Sequence, residues 1–187
     1  MAKRPALGQV KTRLAADVGE DKALAIYKRL LEHTLQWSEA LTPLVYWTGN
    51  GQEPPHSLVS KEQVSGDLGM RMSNAASEEL NTADGVEFIG TDCPELDSAL
   101  VQQAFVYLHS HDVVIGPASD GGYYLIGMRA HFPMLFEDMP WSSSTVFEET
   151  LLRCRQSDLA VAVLSVLSDV DEWKDIQNVV HRQWLIS

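Results

Sequence analysis

The chain has 187 residues, with 26 acidic against 14 basic side chains and a formal net charge of −12 at pH 7. At 45% hydrophobic and 21% charged residues, its composition predicts one globular domain over residues 1–187. The isoelectric point near 4.8 argues against nucleic acid or an anionic membrane as the main partner, since both need a basic surface. No apolar run approaches the roughly 20 residues that span a bilayer. With only two cysteines, a cytoplasmic location is predicted.

Predicted helices and strands alternate along the chain. A helix is predicted over residues 20–40, where apolar side chains recur every three or four positions, and a strand over residues 44–48. Residues 52–66, with two prolines and many polar side chains, are predicted to form a loop. Further helices are expected over residues 68–80, 96–109, 144–156 and 172–184, and further strands over 86–90, 112–116, 123–128 and 160–167. This order predicts a three-layer α/β/α fold with a mainly parallel sheet, in which ligands bind beyond the carboxyl ends of the strands.

The N-terminal segment is basic although the whole chain is acidic. Residues 1–30 carry seven basic side chains against three acidic ones, which suggests a local anion site. In the loop of residues 3–14, Gly8 lets the backbone approach an anion, and Lys11 and Arg13 can neutralise phosphate oxygens. The loop does not have the Walker A pattern. A solvated helix face with a basic tip explains the charge equally well.

Acidic residues follow two of the predicted strands. Asp92 comes directly after the strand at residues 86–90, and Asp169 and Asp171 come directly after the strand at residues 160–167. Carboxylates there suit Mg²⁺, which prefers oxygen ligands. The alternative is helix capping by Asp92 and Asp171. An Asp-x-Asp phosphatase nucleophile is rejected, because only 16 residues follow Asp171.

The segment of residues 116–124 places Asp120, Gly121 and Gly122 between two predicted strands. Asp-Gly-Gly is typical of a hairpin turn. The neighbouring Gly-Pro pair and the two tyrosines also suit an irregular loop that lines a substrate pocket. Both interpretations stay open at this stage.

Three other features favour structural roles. His109 and His111 lie at a helix–strand junction, away from the predicted carboxyl-end face, and are expected on the surface. Cys93 has no base near it in sequence and is expected to pack in the interior. The five tryptophans are expected in the core or in pocket walls.

Six motifs occur in a fixed order from residue 3 to about residue 176: KxPxxGxVKTRL, GDLGxRM, GTDCP, GPAxDGGYYLIG, WS and DVDxxxD. This order resembles the DUF2064 proteins, bacterial proteins of the GT-A, or nucleotide-diphospho-sugar transferase, fold. The wider superfamily includes the 2-phospholactate guanylyltransferases and the molybdenum-cofactor guanylyltransferases. The resemblance therefore implies a GT-A fold for this chain.

The resemblance also implies roles for individual residues. Nucleotide binding is implied for Gly8, Lys11, Arg13, Gly66, Asp67, Leu68 and Gly69. A site for Mg²⁺ (or Mn²⁺) is implied at Asp92, Asp169 and Asp171, and acceptor contacts at Asp120, Gly121, Gly122 and Tyr123. Lys11, Arg13 and Asp92 are the expected catalytic residues.

The N-terminus departs from the family pattern. Members of this fold begin with an apolar strand that leads into the phosphate loop, whereas here only Met1 and Ala2 precede Lys3. The first strand is therefore expected to start upstream or to be lacking. A lost strand would expose sheet edges, which favours a homo-oligomer.

These features predict an Mg²⁺-dependent transferase with a nucleotide donor and a small-molecule acceptor. Nucleotidyl transfer from an NTP is favoured, because a leaving pyrophosphate needs cations beyond the metal. Direct in-line attack by the acceptor is expected, since no covalent nucleophile is evident. One alternative is a glycosyltransferase that uses a nucleoside diphosphate sugar. Another is a nucleotide- or metabolite-binding protein without turnover.

Overall fold

The computed structural model describes residues 1–179 and 183–186, in which strands and helices alternate. The strands are β1 (Ala2–Lys3), β2 (Val45–Thr48), β3 (Ser60–Glu62), β4 (Val86–Ile89), β5 (Val113–Pro117), β6 (Tyr123–Met128) and β7 (Val161–Val163). The helices are α1 (Thr12–Val18), α2 (Glu20–Ser38), α3 (Leu68–Glu79), α4 (Ser98–Leu108), α5 (Val146–Gln156), α6 (Trp173–Asn178) and α7 (Gln183–Ile186). The predicted α/β class is confirmed. None of these helices combines the length and the apolar character needed to cross a membrane.

The chain forms two compact units. The first contains Met1–Glu62, Gly90–Ser98 and Ser168–Ser187, and the second contains Gln63–Ile89 and Ala99–Leu167. The assignment of residues 1–187 to one domain stays a prediction.

The first unit contains a parallel sheet in the order β1-β2-β3. One alternative from the sequence was that the first strand is lacking, and this is wrong. Strand β1 is present but has only two residues, with Ala2 opposite Trp47. Tyr27 of α2 fixes this short strand: its hydroxyl accepts the Lys3 backbone N–H at 3.1 Å and donates to the Lys3 carbonyl. The phosphate loop of the sequence prediction therefore begins from an anchored strand.

Helix α2 contributes to two apolar clusters of the first unit. One cluster joins α2 to the sheet through Ala2, Val10, Tyr27, Leu31, Leu35, Val45 and Trp47. The other joins α2 to α1 and the C-terminal segment through Leu14, Ala23, Ile26, Leu30, Val170, Ile176, Val179 and Leu185. Val10 and Leu14, on either side of Lys11 in the sequence, are thus buried in the core. Val170, between Asp169 and Asp171, is buried there as well.

The second unit contains a four-stranded sheet in the order β4-β6-β5-β7. Strand β6 is antiparallel to β4 and β5, whereas β5 and β7 are parallel. The antiparallel β5–β6 pair follows from its connection, because residues 118–122 are too few for a crossover between parallel strands. Across the described strands, three of the five pairings are parallel, as the sequence predicted.

Two elements were missed by the sequence analysis. Helix α1 lies partly within the segment predicted as a loop, where Pro5 and Gly8 masked the helical pattern. Strand β3 lies within residues 52–66, which were wrongly predicted to be loop throughout. Its residues Ser60, Lys61 and Glu62 show no apolar alternation, and the strand exists because it pairs with β2.

Three predicted boundaries also need correction. Helix α4 begins at Ser98 rather than at residue 96, and β7 ends at Val163 rather than at residue 167. The final helix was predicted to be continuous over residues 172–184. Instead α6 ends at Asn178 and α7 begins at Gln183, and residues 180–182 lie outside the described residues.

Candidate active site

The basic loop ends in an unusual backbone conformation at Lys11. Lys11 is the N-cap residue of α1 and has a left-handed backbone with φ of 47°. Its carbonyl accepts the Ala15 N–H at 2.8 Å, which begins the helix. Because Val10 and Leu14 are buried on either side, this conformation directs the Lys11 side chain into the first unit, where it is only 4% exposed.

The Lys11 ammonium lies between two carboxylates. Its Nζ atom is 3.0 Å from Oδ2 of Asp92 and 2.8 Å from Oδ1 of Asp171. Burial lowers the pKa of Lys11, but the two carboxylates outweigh this effect and raise it above its usual value. Three of the predicted site residues are thus brought together, and the lysine carries a full positive charge.

Arg13, in the first turn of α1, extends this charge cluster. Its guanidinium is 3.3 Å from Oδ2 of Asp171, and its side chain is 59% exposed. Burial of Asp171 raises its pKa, but Lys11 and Arg13 more than compensate and lower it overall. Arg13 is therefore available to an anion approaching from solvent, whereas Lys11 is enclosed.

One backbone contact explains why Asp92 and Asp171 are neighbours. The Val170 N–H donates to the Asp92 carbonyl at 2.9 Å, and the Val170 side chain is fully buried in the core. Asp169 and Asp171 flank Val170 outside any helix or strand, and Asp169 is half-buried. The segments Gly90–Ser98 and Ser168–Ser187 are thereby joined within the first unit.

The capping alternative is wrong for both aspartates. Asp92 is six residues ahead of Ser98, where α4 begins, and its carboxylate faces Lys11. Glu172, not Asp171, is the N-cap of α6, and it forms a capping box with Asp175. Asp175 also accepts the Asp171 N–H at 3.0 Å, and the Asp171 carboxylate contacts Lys11 and Arg13 rather than the start of α6.

The donor set at Asp92 fits a divalent cation. Its Oδ1 atom is buried and has no hydrogen-bond partner within residues 1–179 and 183–186. A buried carboxylate oxygen without a partner is costly, and a hard cation is the ligand that best satisfies it. Asp92 is thus suited to hold Mg²⁺, while the assignment of Asp169 and Asp171 as further ligands stays a prediction.

The second unit contains the segment Gly66, Asp67, Leu68 and Gly69, predicted to bind nucleotide. Asp67 caps α3, since its side chain accepts the Met70 N–H at 2.8 Å. A side chain at Gly69 would collide with the Phe136 carbonyl and with the Trp141 indole. Both residues therefore have structural roles, and nucleotide contacts by this segment stay a prediction.

Residues Asp120, Gly121 and Gly122, predicted to contact the acceptor, form the hairpin connection between β5 and β6. The Asp120 carboxylate accepts the Gly122 N–H at 2.8 Å. Gly121 has a φ of 91° and lies against the Ser144 backbone. The hairpin interpretation is confirmed, and acceptor binding by this loop stays a prediction.

Tyr123 follows this loop at the start of β6. Its ring meets the Trp141 indole edge to face, with centroids 6.4 Å apart. The Tyr123 hydroxyl and the Trp141 N–H are both buried, and neither has a hydrogen-bond partner in the described part of the chain. Burial also raises the pKa of Tyr123, so its hydroxyl is a donor at all physiological pH values.

We expect Gly121→Ala to destabilise the protein by roughly 2 kcal/mol or more, because the added Cβ would lie 2.0 Å from the Ser144 carbonyl oxygen in a strained backbone. Urea unfolding measures this loss. Gly90→Ala is the matched control: its Cβ would meet nothing within 4 Å, and a change within about 0.5 kcal/mol is expected. Equal effects of the two substitutions would contradict the close approach at Gly121.

The family of the chain follows from a sequence match. A family model described as "Uncharacterized protein conserved in bacteria (DUF2064)" matches residues 12–143. The chain belongs to the DUF2064 family. Among solved structures, a proposed nucleotide-diphospho-sugar transferase from Desulfovibrio desulfuricans G20 is 33% identical, with a TM-score of 0.83 over 91% of this chain and 80% of that chain. The predicted GT-A fold is thereby confirmed.

Two mycobacterial structures are also similar to this DUF2064 protein. The Rv0371c homolog from Mycobacterium sp. strain JC1 is 17% identical, with a TM-score of 0.49 over 80% of each chain. Rv0371c from Mycobacterium tuberculosis H37Rv is 15% identical, with a TM-score of 0.48 over 86% of this chain and 82% of that chain. No curated protein matches the sequence.

The environment of Arg4 in the basic loop of this DUF2064 protein was not predicted from the sequence. The Arg4 guanidinium binds the carboxylates of Glu53 and Glu62 and lies over the Trp47 ring, 6.0 Å from its centroid. These hydrogen bonds raise the pKa of Arg4 and lower that of Glu62. Arg4 is therefore neutralised by the protein itself. No local pattern around residues 53–62 indicated this pairing.

A groove of about 750 Å³ beside α3 in the second unit was also missed. Its polar lining includes Ser65, Asp67, Ser73, Asn74, His131 and Glu137, and none of its lining residues is a lysine or arginine. Ser73 Oγ lies 2.9 Å from His131 Nε2.

The other predicted structural residues occupy the expected environments. His109 and His111 contact backbone carbonyls at the end of α4 through their Nδ1 atoms. Cys93 is buried, and burial raises the pKa of its thiol to about 11. A thiol with so high a pKa is a poor nucleophile at neutral pH.

Proposed function

We propose that this DUF2064 protein is a transferase that uses a nucleotide donor. The observation that carries this proposal is the charge cluster of Lys11, Arg13, Asp92 and Asp171, in which an enclosed lysine and an exposed arginine adjoin two carboxylates. Basic side chains beside acidic metal ligands are the elements that phosphoryl and glycosyl donors require. The name of the structure from Desulfovibrio desulfuricans G20, at 33% identity, supports the same class.

In this proposal Asp92, Asp169 and Asp171 hold Mg²⁺ or Mn²⁺. When bound, the cation would stabilise negative charge on the phosphate that leaves the donor. Arg13 would bind a phosphate oxygen from the solvent side, since its guanidinium contacts Asp171 at 3.3 Å while most of its side chain stays exposed. Lys11 would donate hydrogen bonds to the same phosphates once its ammonium leaves the carboxylates.

Nucleotidyl transfer from an NTP to a small acceptor is the favoured reaction. Two side-chain cations beside the metal suit a leaving pyrophosphate, which carries more charge than the metal alone can balance. The acceptor would attack in line, since burial and a raised pKa make Cys93 unsuitable as a covalent nucleophile. Asp120, Gly121, Gly122 and Tyr123 are the proposed acceptor-binding residues.

Glycosyl transfer from a nucleoside diphosphate sugar is the second candidate. It is favoured by the name of the similar Desulfovibrio structure. The acceptor would take the sugar as its bond to the phosphate breaks, and the nucleoside diphosphate would be the leaving group, whose two phosphates would need the same cations. The two candidates therefore differ in donor and product rather than in the residues that bind the phosphates.

Thermal unfolding with NTPs and with nucleoside diphosphate sugars, each with and without Mg²⁺, tests the proposal. A ligand at about 100 times its dissociation constant adds about 2.7 kcal/mol to the free energy of unfolding. We expect a Mg²⁺-dependent shift with one donor class, and a smaller shift for Arg13→Gln, which removes an exposed cation. Lys28→Gln, an exposed cation on α2, is the matched control and should leave the shift unchanged.

The donor class that produces the shift distinguishes the two reactions, because an NTP indicates nucleotidyl transfer and a nucleotide sugar indicates glycosyl transfer. A shift without turnover for any acceptor would instead favour a binding protein. If neither class stabilises the protein in the presence of Mg²⁺, the proposed donor site is wrong.

A further inference from the structure

The Lys11 ammonium lies between Asp92 and Asp171, two of the three carboxylates that the proposed function assigns to a metal. Nζ contacts Oδ2 of Asp92 at 3.0 Å and Oδ1 of Asp171 at 2.8 Å. A divalent cation bound by Asp171 and by either oxygen of Asp92, the partnerless Oδ1 or the Oδ2 that Nζ contacts, would lie close to this ammonium. Because like charges at that separation repel strongly in a partly buried site, the ammonium and the metal exclude one another.

The way Lys11 is held allows its ammonium to move without unfolding the loop. The backbone is fixed by the buried side chains of Val10 and Leu14 and by the hydrogen bond from the Ala15 N–H. The four-carbon stem of a lysine is flexible, and its ammonium is a compact charge that binds phosphate readily. Lys11 can therefore exchange its carboxylate partners for a phosphate oxygen from the same backbone position.

We propose that Lys11 is a tethered cation that competes with the metal for Asp92 and Asp171, so that metal binding is weak until donor phosphates withdraw the ammonium. This inference rests on the proposed function, since it takes the two aspartates as metal ligands. By linkage, the donor and the metal then strengthen each other's binding. The lysine thereby prevents the metal site from filling without the nucleotide.

Other charged groups around the two aspartates do not have this effect. Arg13 contacts only Oδ2 of Asp171, at 3.3 Å, and is 59% exposed, so water screens its charge. Lys3 lies in the same loop, but its ammonium donates to the Gln9 carbonyl at 2.6 Å. Among these loop cations, Lys11 is the one placed between both carboxylates.

Mn²⁺ binding to the full chain without nucleotide tests the inference. The free Mn²⁺ signal in electron paramagnetic resonance reports the affinity directly and does not depend on turnover. We expect Lys11→Met to bind Mn²⁺ at least about tenfold more tightly than the natural protein, because one competing charge is removed. Lys3→Met removes a charge from the same loop and should stay within about twofold of the natural protein.

Equal or weaker Mn²⁺ binding by Lys11→Met overturns the inference, as does equal tightening by Lys3→Met. Should Lys11→Met fail to fold, Lys11→Gln keeps a hydrogen-bond donor without the charge and is expected to show the same tightening. Mn²⁺ should also raise the melting temperature of the Lys11 variant more than that of the natural protein, since its carboxylates lack their ammonium partner.

Asp92→Asn separates this inference from the proposed function. Combined with Lys11→Met, it should abolish the gain in Mn²⁺ affinity. If Lys11→Met gives no gain while Asp92→Asn alone weakens Mn²⁺ binding, the metal site stands and the tethered cation is wrong. If Asp92→Asn changes Mn²⁺ binding in neither background, the metal assignment of the proposed function fails as well.

Discussion

Asp92→Asn is expected to lower the proposed transferase activity by about 1,000-fold. The substitution keeps the size of the side chain but removes the negative charge that faces Lys11 at 3.0 Å. It also replaces one carboxylate oxygen by an amide N–H, which cannot bind a cation. Losing a charged group that acts on the transition state costs two to three orders of magnitude in rate in comparable sites.

The same substitution is expected to have a smaller effect on stability. The Asp92 side chain is 42% exposed, and Lys11 keeps Asp171 as a partner at 2.8 Å. Solvent therefore screens part of the lost attraction. A variant that unfolds at a similar urea concentration but has lost its activity would show that the carboxylate acts in the reaction rather than in folding.

Initial rates with the donor identified by thermal unfolding measure this effect, with pyrophosphate or nucleoside diphosphate release as the readout. Asp97→Asn is the control, since Asp97 is an exposed acidic residue five positions further along the same segment. It should keep full activity. If Asp92→Asn retains full activity with that donor, Asp92 has been placed in the wrong role.

The sequence was informative wherever the pattern was local. Apolar residues at helical spacing located α2, and the extent of β6 matched its predicted range of residues 123–128. The motif order located Asp92 and Asp171 at the ends of strand-like segments. That both lie beside Lys11 agrees with a rule of α/β folds, in which the segments beyond the strand ends contain the ligand-binding residues.

Features that depend on long-range contacts were not accessible from the sequence. Lys11 and Asp171 are 160 positions apart, so no spacing rule predicts their ion pair. Strand β3 is held by pairing with β2 rather than by its own composition. The left-handed backbone of Lys11 carries no residue signal, since glycine or asparagine usually occupies that region. The sequence thus identified the residues of the charge cluster but not which of them form ion pairs with one another.

The second unit contains a buried acidic residue, Glu87, whose burial was also not predicted from the sequence. It lies in β4 opposite Gly127, and a side chain at Gly127 would collide with its Cγ atom at 2.7 Å. Both carboxylate oxygens are buried and lack a hydrogen-bond partner in the part of the chain that the structure describes. Burial raises the pKa of Glu87 to about 8, so the folded protein holds this side chain protonated at neutral pH.

Glu87→Gln is therefore expected to remove a pH dependence of stability. In the unfolded chain Glu87 ionises near its ordinary value of 4.5, whereas in the folded protein it keeps its proton up to about pH 8. The stability that the folded protein gains from keeping Glu87 protonated is fully present below pH 4.5. It is lost as the pH rises from 4.5 to about 8, because unfolding then releases a proton. The loss approaches about 1.4 kcal/mol per pH unit and amounts to a few kcal/mol by pH 8.

Urea unfolding of the natural protein and of Glu87→Gln at pH values from 5 to 9 measures this difference. The glutamine variant should gain stability relative to the natural protein as the pH rises to about 8, and the gap should then stay constant. Glu87→Leu should show the same pH dependence, because it also removes the titrating group, with an offset set by its packing over Gly127. Parallel curves for all three proteins would mean that the Glu87 carboxylate reaches water in the folded state, since only a hydrated carboxylate ionises equally in both states.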